Sequence, residues 1–382
     1  MAFVDTTMRP AFSSPWQAAR FALLLLAILL APALAGKKFL PSRREIYSSI
    51  WWKSGDYPYF YQQIFQEKGD IDVLFIGASH MHTAFNTPYV QEQFSKALGR
   101  PAVARTFGWG WTGYDQVYFV VGDLLAHRKV KLLVFDDFYD NGWDAPHPLA
   151  PRLFRFGDNA KALDGLPLHS QAAYYLAAIV GMPHNLLGLA RANFPPDLSG
   201  DKKIFPDIEE NALNPVTRLG ALTEQMGFSP NRAAFAPLHP AFVPFTPQNG
   251  VQSSDVCVYS PETKTNFVFA TDGLPPMELH FAQKLTALAQ QNGCALVMVH
   301  VPFFDERRSP VISMPIYWPD ALHTELTMAG IPPTTLFEGL TDDGVRKLYS
   351  DPIHLNQNGQ NYFTSLMTPN LLSIYESEIQ KP

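Results

Sequence analysis

The chain has 382 residues, of which 47% are hydrophobic and 13% aromatic, enough to bury a sizeable core in one large domain or two modest ones and too apolar for a disordered chain. Its formal net charge of −6 lacks the basic excess of a nucleic-acid binder, so nucleic acid is set aside as a partner. The 33 prolines point to long ordered loops, and the two cysteines, Cys257 and Cys294, either pair in an oxidising compartment or are unrelated buried thiols.

The N-terminus carries an uncharged apolar segment, Phe21 to Ala35, preceded by Arg9 and Arg20 and closed by Ala33-Leu34-Ala35 before Gly36. That layout predicts a secretory signal over residues 1–36. Fifteen residues fall short of the ~20 that span a bilayer, although Trp16 to Ala19 extend the segment toward an anchor. Lys37, Lys38, Arg43 and Arg44 follow it and oppose a simple N-terminus-inside orientation. Export to the periplasm or the outer face of the cytoplasmic membrane is expected, with cleavage and anchoring both open.

Residues 37–66 read as a linker rich in aromatics, and an α/β pattern begins at 67. Strand-like runs are Val73 to Ile76, Ala102 to Thr106, Leu132 to Phe135 and Ala295 to Val301. Helical patterns cover Pro88 to Leu98, Tyr114 to His127 and Pro276 to Asn292. This alternation predicts βαβ units and a three-layer α/β/α domain with a mainly parallel, flavodoxin-like sheet over 67–382. A proline-rich insertion at about 141–264 interrupts the rhythm. Fifteen prolines lie between 141 and 261, with one apolar helix, Gln171 to Ala190, predicted among them.

The first strand ends in Gly77-Ala78-Ser79. The carboxyl ends of parallel strands are where open α/β sheets place their chemistry, so Ser79 is a candidate nucleophile; the competing reading is an N-cap for the helix that follows. A serine nucleophile needs a base, and the base an orienting carboxylate. Asp-x-x-His occurs three times, as Asp144/His147, Asp320/His323 and Asp351/His354. The first lies among prolines and the second in a helical stretch, where a surface pair is expected of each. The third sits on a short loop holding Pro352, ahead of an Asn-rich cap and a final helix, which can turn both side chains toward the end of the first strand.

Gly77-Ala78-Ser79 together with Asp351-Pro352-Ile353-His354-Leu355-Asn356 resembles the SGNH (GDSL-type) hydrolase superfamily. The closer likeness is to its membrane-associated bacterial branch of polysaccharide O-acetylation and D-alanyl transfer proteins. The resemblance covers roughly residues 67–140 and 265–375. It implies Ser79 as nucleophile, His354 as base and Asp351 as its orienting acid, and it implies oxyanion donors after the second and third strands. Gly108 or Gly110 would fill the first of these places; the second, an asparagine in the family, has only the late Asn141 here, with Asp136 and Asp137 nearer the expected position. His300, ending the fourth strand, is expected to line the mouth of the site, with a packed core histidine as the alternative. His80 and His82 beside the serine read as packing or substrate contacts, and Trp109, Trp111 and Trp143 as sugar-stacking or core residues.

No metal-ligand spacing and no phosphate-cradling glycine loop is present, so no cofactor is expected. The function expected from the resemblance is an exported serine O-acyltransferase or esterase. It would move acyl groups, acetyl foremost, to or from a cell-surface carbohydrate through an acyl-serine, with a membrane-bound acyltransferase as a further partner. The alternative is a catalytically silent, polysaccharide-binding scaffold of an envelope assembly complex.

Overall fold

A computed structural model describes residues 12–35, 40–50, 57–110, 113–136, 139–140, 145–191, 268–269, 275–304, 306, 327–330, 336–351 and 353–379. An apolar helix, α1 (Pro15–Ala35), precedes two short helices, α2 (Arg43–Ser49) and α3 (Tyr57–Phe65). The sheet begins with β1 (Ile71–Ala78), followed by α4 (Ser79–Ala84), α5 (Thr87–Leu98), β2 (Ala104–Trp109), α6 (Tyr114–Leu125) and β3 (Val130–Asp136). A two-residue strand, β4 (Tyr139–Asp140), leads to α7 (Ala150–Leu153) and α8 (Leu168–Arg191). The chain continues through β5 (Val268–Phe269), α9 (Pro276–Gln291), β6 (Ala295–His300), β7 (Thr327–Gly330), α10 (Asp342–Arg346) and α11 (Gln357–Ile379).

Five strands form one parallel sheet in the order β2-β1-β3-β6-β7, with helices on both faces. The fold class is thus the expected three-layer α/β/α. Its physical origin shows in the strands themselves. Ile71, Leu74 and Ile76 of β1 join one core and Val73 and Phe75 the other; β3 splits in the same way, with Val130, Leu133 and Phe135 opposite Leu132 and Val134. Alternate residues point to opposite faces, so a strand covered on both sides must be apolar throughout. Helices α2, α3, α6, α7, α8 and α9 cover the first face, and α4, α5, α10 and α11 the second.

An all-apolar strand gives no polarity cue to its register, since a one-residue slip merely swaps one apolar face for another. A polar pin at its amino end and a glycine pair at its carboxyl end supply the cue. At the amino end, buried Asp72 accepts hydrogen bonds from Arg100, the Val103 N–H, Lys131 and the Tyr375 hydroxyl. Burial alone would raise its pKa, yet these bonds hold the carboxyl far below the ordinary range. At the carboxyl end, Gly77 of β1 pairs with Gly108 of β2, where only glycine fits beneath neighbouring side chains.

Two expectations change. Residues 40–50 and 57–65, read as parts of a linker, are structural: Tyr47, Ile50, Tyr57, Phe60 and Tyr61 are wholly buried in the first core. Arg43 binds Asp123 of α6, which also accepts the Tyr47 hydroxyl. The first third of the insertion likewise packs onto the domain, with Phe154 and Tyr174 buried against Phe119. β4 and β5 pair antiparallel, bringing the two ends of the insertion together. Cys294 is a free, buried thiol whose pKa burial pushes up to about 12, while Cys257 lies outside the described residues.

Candidate functional site

The chain runs from β1 outward to β2 and then returns to β3 on the other side of β1, so the strand order reverses between β1 and β3. Crevices at the carboxyl ends of strands flanking such a switch point are the usual ligand sites of doubly wound sheets. Ser79 directly follows β1 there, and Asp136 ends β3.

Ser79 is the first residue of α4, not its cap: the N-cap is Ala78, and no side chain caps the helix. The N-cap reading of Ser79 is therefore corrected. Its Oγ lies 2.8 Å from His354 Nε2, and His354 Nδ1 lies 2.6 Å from Asp351 Oδ2. The other carboxylate oxygen of Asp351 accepts the N–H groups of Ile353 and His354 at 2.9 Å each. Burial tends to raise the Asp351 pKa, but His354 and these hydrogen bonds outweigh it and hold the carboxyl below its usual value. An ionised Asp351 fixes the proton of His354 on Nδ1. That leaves Nε2 to accept the serine hydroxyl, an arrangement able to activate an alcohol for attack on a carbonyl.

The Asn-rich stretch after His354 explains how a loop 275 residues away from Ser79 is held to this precision. Asn356, buried, accepts the N–H groups of Asn358 and Gly359 at the start of α11 and donates to the carbonyls of Lys347 and Tyr349. Its backbone N–H bonds Leu348, and Tyr349 bridges Leu355, so the loop between them is closed on itself. Gly359 is obligatory, because a Cβ there would lie 2.0 Å from the Leu348 carbonyl oxygen. α11 is then stapled to the end of α4: Gln360 donates to Phe85 O, Asn361 accepts from Asn86 Nδ2, and Thr364 accepts the Asn86 N–H. Tyr375, three turns on, anchors the same helix at Asp72.

The remaining candidates fall differently. Gly108 lies inside the β2 ladder, and a Cβ there would come 2.4 Å from the fully buried His82 ring. His82 therefore requires glycine at this position for packing. Gly110, just past the strand, has its carbonyl 3.1 Å from His147 Nε2. Asn141 lies outside the described residues, as do Asp137, Trp111, Trp143 and the Asp320/His323 pair. Asp136 occupies the end of β3 instead. Its buried carboxylate accepts the Ala78 N–H at 3.2 Å and sits so close over Gly77 that a Cβ there would be 2.2 Å from it. It thus props the backbone that presents Ser79.

His300 does not open onto a site mouth: its Nε2 lies 2.8 Å from Glu306 Oε2, and both side chains are buried. Glu306 also accepts the Phe303 N–H. This closed pair lies near His80, whose ring packs against Phe303 and whose pKa is held well below normal by burial, then by His354 and His300. Burial and the neighbouring His354 and His300 thus disfavour the charged form of His80.

His147, expected at the surface, is buried. Its backbone N–H and the Tyr174 hydroxyl both donate to Asp115, which burial pushes up to about 6. Nothing in the sequence near 147 marks this contact, whose acid lies 32 residues upstream. Among the described residues, no three His, Cys, Asp or Glu side chains converge as a metal site. No helix among them is long and apolar enough to cross a membrane. No protein-family model matches the chain, and no curated protein matches it.

Proposed function

We propose that the chain is an SGNH-like serine enzyme that transfers or hydrolyses small acyl groups, acetyl foremost, on a cell-surface carbohydrate. The observation that supports this reading most is the continuous relay Asp351–His354–Ser79 at the switch point, with both hydrogen bonds within catalytic reach. Ser79 Oγ attacks the acyl carbonyl as His354 Nε2 takes its proton, and Asp351 stabilises the imidazolium. His354 then protonates the departing oxygen, leaving an acyl-Ser79. An incoming hydroxyl, from water or from a sugar, attacks the acyl carbonyl as His354 takes its proton, and His354 returns that proton to Ser79 Oγ as the acyl group leaves as acid or ester. The Ser79 N–H, at the uncapped start of α4, and the Gly110 N–H, just past β2, are the proposed oxyanion donors. Export, membrane association and a membrane-bound acyltransferase partner belong to the same reading and rest on the N-terminal segment and the family likeness.

The test is turnover of an acetylated chromogenic ester and acetyl transfer to candidate oligosaccharides read by mass spectrometry. Ser79→Ala and His354→Ala are each expected to abolish turnover with melting temperature preserved, and Asp351→Asn to reduce it less, because members of a relay act as a unit. Wild-type activity in Ser79→Ala would overturn the proposal. Oligosaccharide binding that survives Ser79→Ala, with no acyl-enzyme trapped in the wild type, would point to the scaffold. Acetate release that no acceptor diverts would assign an esterase.

A further inference from the structure

Helix α8 spans 24 residues, LHSQAAYYLAAIVGMPHNLLGLAR, without one Asp, Glu or Lys. Its inner side is explained: Tyr174, Ala178 and Asn185 are buried against the domain. Its outer side is not. Leu176, Val180 and Leu187 recur at intervals of four and seven residues along that side and are 53%, 64% and 47% exposed, with Leu186 beside them at 53%. A helix facing water carries charged residues on its outer stripe, and contiguous apolar patches of this kind mark interaction surfaces.

The surroundings of α8 say what covers it. Helix α1 exposes Phe21, Leu23, Leu24, Leu25, Leu26 and Ile28, a run apolar on all sides. α1 rests against the turn Phe156–Asp158, and the Phe156 ring meets Tyr175 of α8 at 6.0 Å, so the two apolar elements are joined through one aromatic contact. Past α1, Leu40 lines a pocket with Phe156, Ala178 and Met182, the last two on α8 itself. Only residues 36–39, Gly-Lys-Lys-Phe, lie between Ala35 and Leu40. Even fully extended, that tether reaches at most ~18 Å. Whatever receives α1 is therefore within reach of α8, and the two lysines of the tether suit an anionic surface.

We propose that α8 is an interfacial helix whose Leu176–Val180–Leu187 stripe lies in the headgroup region of a phospholipid bilayer that also takes up α1. The inference rests on the membrane-associated reading above and adds a second contact, which fixes the orientation of the domain as a single tether cannot. α8 lies on the surface and does not cross it; its inner side belongs to the protein core.

The experiment uses the full-length chain with Cys257→Ser, mixed with vesicles of phosphatidylcholine and a minority of phosphatidylglycerol and no other protein. A nitrobenzoxadiazole probe is placed at Val180→Cys or Leu187→Cys, and at Lys96→Cys on α5, which covers the opposite face of the sheet. The chain is expected to float with the vesicles. Brominated lipid is expected to remove most of the emission at 180 and 187 and none at 96. Flotation without quenching at 180 and 187 would overturn the inference while leaving α1 as an anchor. Failure to float would overturn it together with membrane association. A probe already blue-shifted without lipid would overturn it in favour of cover by residues 192–267 or a second copy.

Discussion

Asn356 carries the positioning of His354, and its removal tests the account of the site most sharply. The side chain is buried and makes four hydrogen bonds, two accepted at the start of α11 and two donated to the carbonyls of Lys347 and Tyr349. Losing a helix cap costs about 1 kcal/mol. Taking a donor from a buried carbonyl costs about 1–3 kcal/mol, although the Lys347 carbonyl keeps a bond from Asn358 Nδ2. Asn356→Ala should therefore destabilise the fold by about 3 kcal/mol and lower the melting temperature by about 6 °C, taking about 2 °C per kcal/mol for a chain of this size. Asn356→Ser keeps a capping oxygen while giving up the two donated bonds, and should recover about 1 kcal/mol of the loss. Because His354 is two residues away, kcat for the chromogenic ester should fall about 100-fold in Asn356→Ala well below its melting temperature, the scale expected for an ångström of misplacement. Scanning fluorimetry and steady-state kinetics on both variants read these effects. A melting temperature within about 1 °C of wild type in Asn356→Ala, or a full kcat, would refute the reasoning.

Gly77→Ala drives a Cβ into the Asp136 carboxylate and should abolish activity and lower stability; adding Asp136→Ala removes the obstruction, so the double variant should unfold at higher urea than Gly77→Ala alone, and no such recovery would mean the clash is not the cause. Asp351 has a depressed folded-state pKa, so its contribution to stability is full above the unfolded value of ~3.9 and is lost as pH falls through the folded one. The difference in unfolding free energy between wild type and Asp351→Asn should accordingly be larger at neutral pH than in strong acid, and a gap that does not shrink on acidification would contradict the assigned charge state.

Sequence alone determined the elements whose signal is local. The runs at 73–76, 132–135 and 295–301 are apolar because both faces of the sheet are covered, and that pattern is legible without knowing what covers them. The place of Ser79 at a strand's carboxyl end and the sharing of one loop by Asp351 and His354 were legible for the same reason, since each is fixed by neighbours a few residues away. What only the tertiary structure decided depends on groups distant in the chain. Gly77 and Gly108 are glycines because Asp136 and His82 press on them, and His147 is buried because Asp115 and Gly110 receive it. Residues 40–50 and 57–65 are core because α6 and α8 lie over them, and the closeness of His354 to Ser79 is set by α11, stapled at one end to α4 and at the other to Asp72. A residue's own sequence neighbourhood records its solvent exposure and backbone preference; the partner that gives it a role is chosen by packing, across separations that no local pattern encodes.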